Sequence, residues 1–192
     1  MMSLDERFSH LIEEIQRPRF LRNEGLSNEV GYYIFAYDPR EELKVREWVA
    51  HIRQKFATGD MGFQVVVYDL YDLIIDKLQE KGYLEKCSEI EKKNGFDRVS
   101  KAIGNSMRIT SPDSLIIRHI QENTPENAVV LLTGIGKCYP FLRSHTVLNN
   151  LHQVFDRVPV ILFYPGKYDG QELILFGEIK DDNFYRAFRL FE

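Results

Sequence analysis

The stretch AVVLLTG, residues 128–134, constrains the fold more than any other part of the chain. A strand with one wet face alternates apolar and polar side chains. A run that is apolar at every position must instead be covered on both faces. VPVILFYPG at 158–166 is a second run of this kind, opened by Pro159. Strands of this kind belong to a mostly parallel sheet sandwiched between helices. VGYYIFAY at 30–37 and FQVVVYDL at 63–70 are rich in β-branched and aromatic residues and supply two more strands.

Helical patterns lie between these strands. Ser3 precedes an apolar stripe of Leu4, Phe8, Leu11, Ile12 and Ile15, with Glu6 placed to complete a capping box. Pro18 is expected to close that helix. Asp38-Pro39 opens the next one, with Asp as cap and Pro in the first turn. Leu43, Val45, Trp48, Val49, Ile52 and Phe56 are expected on its buried side. Gly59 and Gly62 bracket a turn, and a helix over about 71–81 ends at Gly82. Residues 83–110 are charged and broken by Gly95 and Gly104; they read as short helices at one edge, a variable insertion. Ser111-Pro112-Asp113 opens a helix reaching Asn123, and another is expected from Pro140 to Phe155. Tyr168-Asp169-Gly170 is turn chemistry, after which LILFGEI returns as a hairpin partner. The expected architecture is one domain over residues 1–192. It is a three-layer α/β/α fold with a mostly parallel central sheet and an antiparallel C-terminal hairpin edge.

Composition narrows the function. The 192 residues carry a net charge of −4, so no basic excess advertises nucleic-acid binding, and DNA is not favoured as a partner. Neither of the two cysteines, Cys87 and Cys138, belongs to a CxxC pair, so a zinc site or redox motif has little support. No apolar stretch approaches the roughly 18 residues of a membrane span. The start of the chain is amphipathic and acidic, unlike a signal peptide. The expectation is a cytoplasmic protein with reduced thiols. The 13 Phe and 10 Tyr can fill a core, and tyrosines also favour partner surfaces.

LLTGIGKCYPFLRSH, residues 131–145, looks like a phosphate loop. A Walker A motif needs G-x-x-x-x-G-K-[ST]. Counting back from Gly136-Lys137, its first glycine position holds Leu131; its hydroxyl position holds Cys138, a poor ligand for a hard cation. Pro140 removes an amide that a phosphate would want. Tyr139 likewise breaks G-x-G-x-x-G. The glycines therefore read as a sharp turn after a buried strand. The loop still leaves the C-terminal end of that strand, where open α/β sheets bind ligands. Lys137, Arg143 and His145 are accordingly candidates for anion binding.

Asp38, Asp69 and Asp72 follow the first two strands. They read first as helix caps, and as an alternative could hold Mg²⁺ or act as acid and base in a hydrolase. His145 and His152 lie about two turns apart on one expected helix, too far for a ligand pair. Cys138 reads as a small buried residue, unless Lys137 and a helix start lower its pKa. No G-x-S-x-G is present. No catalytic set, metal or cofactor emerges.

Three long blocks carry a resemblance: NEVGYYIFAYDPREELKVRE, TGIGKCYPFLRSHTVLNNL and LFYPGKYDGQELILFGEIKDDNFYRAF. In order and spacing they resemble the BrxB family, a small component of BREX (bacteriophage exclusion) defence systems. The resemblance covers residues 4–190, with no matching block at 83–110. It implies an anti-phage role beside other BREX proteins: PglZ, an AAA-type ATPase and a DNA adenine methyltransferase. It also implies assembly rather than chemistry, with PglZ the first partner. On that reading Tyr164, Tyr168, Phe184, Tyr185 and Arg186 are the expected docking anchors, since Tyr and Arg dominate interface hot spots. The alternative is a nucleotide- or nucleic-acid-binding domain using residues 133–145, with Lys167 as a further contact to phosphate.

Overall fold

Strand β3 (Ala128–Thr133) is buried at every position except its last, as a run apolar throughout requires. Strand β4 (Val160–Tyr168) is buried at every position but Lys167. The computed structural model describes residues 2–22, 31–181 and 187–190. With β1 (Tyr32–Tyr37), β2 (Gln64–Asp69) and β7 (Phe188–Arg189), these strands form a parallel sheet in the order β2-β3-β4-β1-β7. The two runs without alternation are thus interior strands, flanked on both sides by other strands.

The helices follow from that order. The chain leaves β1 and crosses to the far edge through α3 (Glu42–Lys55), then returns strand by strand. The return passes through α4 (Leu70–Glu80), α5 (Leu84–Asn94), α6 (Phe96–Met107), α7 (Leu115–Asn123), α8 (Ile135–Cys138) and α9 (Ser144–Val154). Right-handed crossovers in opposite directions put helices on opposite faces. Accordingly α3 and α1 (Leu4–Glu14) pack one face through Phe8, Val49, Phe163 and their neighbours. The other face is covered by α4, α6, α7 and α9, through Leu73, Ile103, Ile117, Leu151 and Tyr164. This is the expected three-layer α/β/α architecture.

Local signals place several helix starts. Ser3 accepts from Glu6 N, and the Glu6 side chain accepts from Ser3 N, the capping box the sequence indicates. Asp38 caps a short 3₁₀ turn, Pro39–Glu41, that runs into α3. Gly95 separates α5 from α6.

Other signals are overridden. Pro18 opens a four-residue helix, α2 (Pro18–Leu21), because proline suits a first turn as well as it ends a helix. Gly104 lies inside α6, whose buried Val99, Ile103 and Met107 outweigh one glycine. Ser114, not Ser111, caps α7. Pro140 follows a cis peptide bond, and α9 begins only at Ser144. The tail adds β7, which pairs with Tyr33 and Ile34 of β1.

The antiparallel hairpin hangs from the C-terminal end of β4. Val160 to Pro165 pair with β1, while Gly166 to Tyr168 continue beyond the sheet and pair with β5 (Leu173–Leu175), which pairs with β6 (Ile179–Asp181). Asp169 Oδ1 makes the turn by accepting from the amides of Gln171 and Glu172 at 2.8 and 2.7 Å. The hairpin therefore stands above the strand ends, where an α/β sheet keeps its ligand site.

Candidate functional site

Open α/β sheets keep ligand crevices at the C-terminal ends of strands, where connections part toward opposite faces. Here β1 leads to α3 on one face, while β2 and β3, on the far side of β4, lead to the other. A groove of about 460 Å³ occupies the position, lined by Tyr37, Glu42, Arg46, Arg53, Asp69 and Thr133 above an apolar wall. A smaller one of about 190 Å³ shares Tyr37, Glu42 and Arg46 with it and adds Gly134, Lys137 and Phe176.

The carboxylates here are each bound to a cation: Glu42 to Arg46, Asp69 and Asp72 to Lys137. Asp69 ends β2 and caps α4: its Oδ1 accepts from the amides of Tyr71 and Asp72, both at 3.1 Å. Its Oδ2 lies 2.8 Å from Lys137 Nζ, which also reaches Asp72 Oδ1 at 3.1 Å and lies over the Tyr71 ring. Burial pulls the Lys137 pKa down, but the hydrogen bonds it donates to Asp69 and Asp72 overcome this and hold the ammonium above its ordinary value. Across the groove, the Tyr37 hydroxyl donates to Glu42 Oε2 and Arg46 Nε donates to Glu42 Oε1 at 2.8 Å. Burial, then the bond to Glu42, pushes the Tyr37 phenol up. Asp38 is paired with Arg40 and held at about 2 by that side chain and its amide.

The loop glycines are there for packing. A Cβ on Gly136 would lie 2.8 Å from the Pro165 ring and 3.1 Å from that of Phe176, so the base of the hairpin sits directly on the loop. Gly134 is pressed harder still, against Asp69 Oδ1. A Cβ at either position would meet the protein's own carboxylate or rings, so packing alone requires glycine here. The stretch that resembles a phosphate loop is a turn clamped between β2 and the hairpin.

The other expected residues are dispersed. Arg143 precedes α9, lies over the Tyr139 ring and lines a separate cleft with Lys180; His145 stands in the first turn of α9. No groove among those described holds both Lys137 and Arg143, so the anion-binding reading of Lys137, Arg143 and His145 draws no support from the geometry. Tyr164 and Tyr168 require a correction. They are 1 % and 4 % exposed: Tyr164 lies in the part of β4 inside the sheet and enters the core, and Tyr168, beyond the sheet, is covered by β5 and the tail. Tyr168 holds the tail instead, its hydroxyl donating to the Ala187 carbonyl at 2.6 Å. Phe184, Tyr185 and Arg186 lie outside the described residues. Among the described residues no cluster of His, Cys, Asp and Glu could hold a metal ion, and no helix is long and apolar enough to cross a membrane.

Sequence reasoning overlooked the triad of Tyr37, Glu42 and Arg46. The Glu42/Arg46 spacing of i,i+4 was its only local trace. It also left Cys138 open to activation. Burial, reinforced by Asp69, pushes that thiol up to about 12 against the weaker pull of Lys137. Cys138 is fully buried, whereas Cys87 is partly exposed. A maleimide at pH 7 is therefore expected to label Cys87 in the native protein and Cys138 only after denaturant is added. Native labelling of a Cys87→Ser variant at a rate close to that of free cysteine would contradict this.

Comparison with known proteins is consistent along the chain. The family model described as BREX protein BrxB matches residues 66–190. A protein of Bacillus cereus (strain H3081.97), named BREX protein BrxB, is 44% identical over 192 residues, 100% of both chains. One of the same name from Escherichia coli O9:H4 (strain HS) is 31% identical over 187 residues, 97% of this chain and 91% of the relative. No solved structure matches.

Proposed function

Because the chain belongs to the BrxB family, and so is a component of a BREX phage-defence system, we propose that it works by docking a larger BREX protein. PglZ is the first partner, with the AAA-type ATPase and the DNA methyltransferase as the others. The observation that carries this reading lies at the strand ends. The carboxylates that could perform chemistry there are each paired with a cation, while the same edge leaves large apolar side chains in water. Phe176, in the turn between β5 and β6, is 42% exposed, and Leu43, at the start of α3, is 72% exposed. Phe176 and Glu42, the neighbour of Leu43, line one groove. Single exposed apolar residues are ordinary on a protein surface. An exposed ring lining a groove whose carboxylates are already paired with cations, with a further exposed leucine nearby in the chain, suits a protein partner better than a cationic ligand. Covering one such side chain contributes about 1.5–3 kcal/mol. Phe184, Tyr185 and Arg186 are proposed to extend the contact, on their residue types alone.

The test is size-exclusion chromatography of the purified chain mixed with purified PglZ, ATPase or methyltransferase. Co-elution with PglZ is expected, with affinity reduced about tenfold or more in a Phe176→Ser/Leu43→Ser variant. Failure to co-elute with any of the three would remove the docking reading. Undiminished binding by the variant would remove this edge as the contact.

A further inference from the structure

The groove of about 460 Å³ at the strand ends runs beside α3, and among the described residues α3 has a helical neighbour on one flank only. On that flank Lys44 and the Trp48 indole are bonded to Asp5 of α1. On the other flank Arg46, Ala50 and Arg53 line the groove. They are spaced four and three residues apart, and Leu43, three before Arg46, continues the row on the same side of the helix. All four are exposed. The floor beside the row is the sheet itself. Val67 and Thr133, near the ends of β2 and β3, are only half-buried, whereas Val65, Val129 and Leu131, further back on the same face, are buried. The helix layer thus stops short of the strand ends on this face.

Charge and spacing narrow the occupant. Two carboxylates and two guanidiniums line the groove: Glu42, Asp69, Arg46 and Arg53. Glu42 is paired with Arg46, and Asp69 with Lys137 from the adjoining smaller groove. Arg53 forms no ion pair among the described residues. One cation is therefore left beside an apolar floor. Nucleic acid, which binds through several cations at once, finds only one here. An apolar surface that carries a single carboxylate is the complement. The row decides its shape. Steps of three and four form the ridge against which a second helix packs with nearly aligned axes, whereas an extended strand repeats every two residues. The 14 residues of α3 run about 21 Å, the length of about four helical turns. We propose that this flank of α3 receives an amphipathic helix of the docked partner, its apolar stripe on Leu43, Ala50 and Val67 and an Asp or Glu facing Arg53. The inference rests on the docking reading above and adds to it the form of the partner's contact.

The full chain in complex with whichever of the three BREX proteins co-elutes tests it. In an Ala50→Cys/Cys87→Ser variant, a benzophenone maleimide puts a photocrosslinker in the groove, since Cys138 is fully buried. The crosslinked partner segment is expected to have apolar residues three and four apart and a carboxylate among them. Arg53→Glu is expected to weaken the complex about tenfold or more, because it sets two like charges against each other. Replacing the partner's carboxylate by lysine should then restore affinity. Lys92→Glu makes the same charge change on α5 and should leave affinity as it was. Arg53 and Lys92 are both exposed, so neither change threatens the fold. With a complex present, three results overturn the inference and leave the docking reading standing. They are no crosslink from position 50, a crosslinked segment whose apolar residues alternate, and a loss in Arg53→Glu no larger than in Lys92→Glu. If none of the three proteins co-elutes, the docking reading itself fails and this inference with it.

Discussion

Replacing Phe8 by alanine is expected to remove about 3–5 kcal/mol of stability. Phe8 is fully buried, and its ring lies 4.8 Å from Phe35, 5.2 Å from Trp48 and 5.9 Å from Phe163. It is therefore the point where α1, β1, α3 and β4 meet. The rings around it are rigid, so a cavity term is added to the lost transfer energy. The polar ties between α1 and α3, from Asp5 to Lys44 and to the Trp48 indole, are at the surface and cannot compensate. Small domains hold only about 5–15 kcal/mol in total, so the loss is a large share of what keeps the chain folded. Urea denaturation should show a lower midpoint with an unchanged slope, the sign of a two-state domain that has lost stability. A loss below about 1 kcal/mol would mean that α1 is not integral to this core.

Gly134→Ala is expected to cost about 2–4 kcal/mol, through a backbone term and a displaced neighbour. Gly134 has φ +76, which costs a residue with a Cβ about 1–2 kcal/mol. The added Cβ would also lie 2.2 Å from Asp69 Oδ1, so Asp69 must withdraw. It would then surrender the cap of α4, typically about 1 kcal/mol. The half-buried pair with Lys137 would go too, and its contribution is no more than about 1 kcal/mol. The two parts are separable. In an Asp69→Ala background the clash is gone, and alanine at 134 should cost only its backbone term. A double-mutant cycle should show about 1–2 kcal/mol of coupling between the positions. Additivity within about 0.5 kcal/mol would show that the strand-end carboxylate does not constrain the loop.

These expectations mark how far the sequence could be read. Caps were legible because the interacting groups are two or three residues apart: Ser3 with Glu6, Asp38 with Arg40, Asp69 with Tyr71 and Asp72. The parallel core was legible because β3 and β4 lack alternation. The same absence of alternation hid the fate of Tyr164 and Tyr168. In a strand covered on both faces, position along the strand no longer distinguishes a core ring from a surface one. Proline misled twice for a related reason: Pro18 starts a helix and Pro140 starts none, since proline fixes a local φ and leaves the direction of the chain to packing.

By itself, then, the order of residues determined the α/β class, the layers and several helix starts, because hydrophobic periodicity and capping act over a few neighbouring residues. Only the tertiary structure decided that Lys137 meets Asp69 and Asp72, that Phe176 rests on Gly136, and that Arg53 shares a groove with Val67. Those meetings depend on strand order and on a hairpin folding back over the sheet. Long-range pairings of that kind leave no repeat in the chain, since the free energy that selects them comes from surfaces far apart in sequence and is released only when they close on one another.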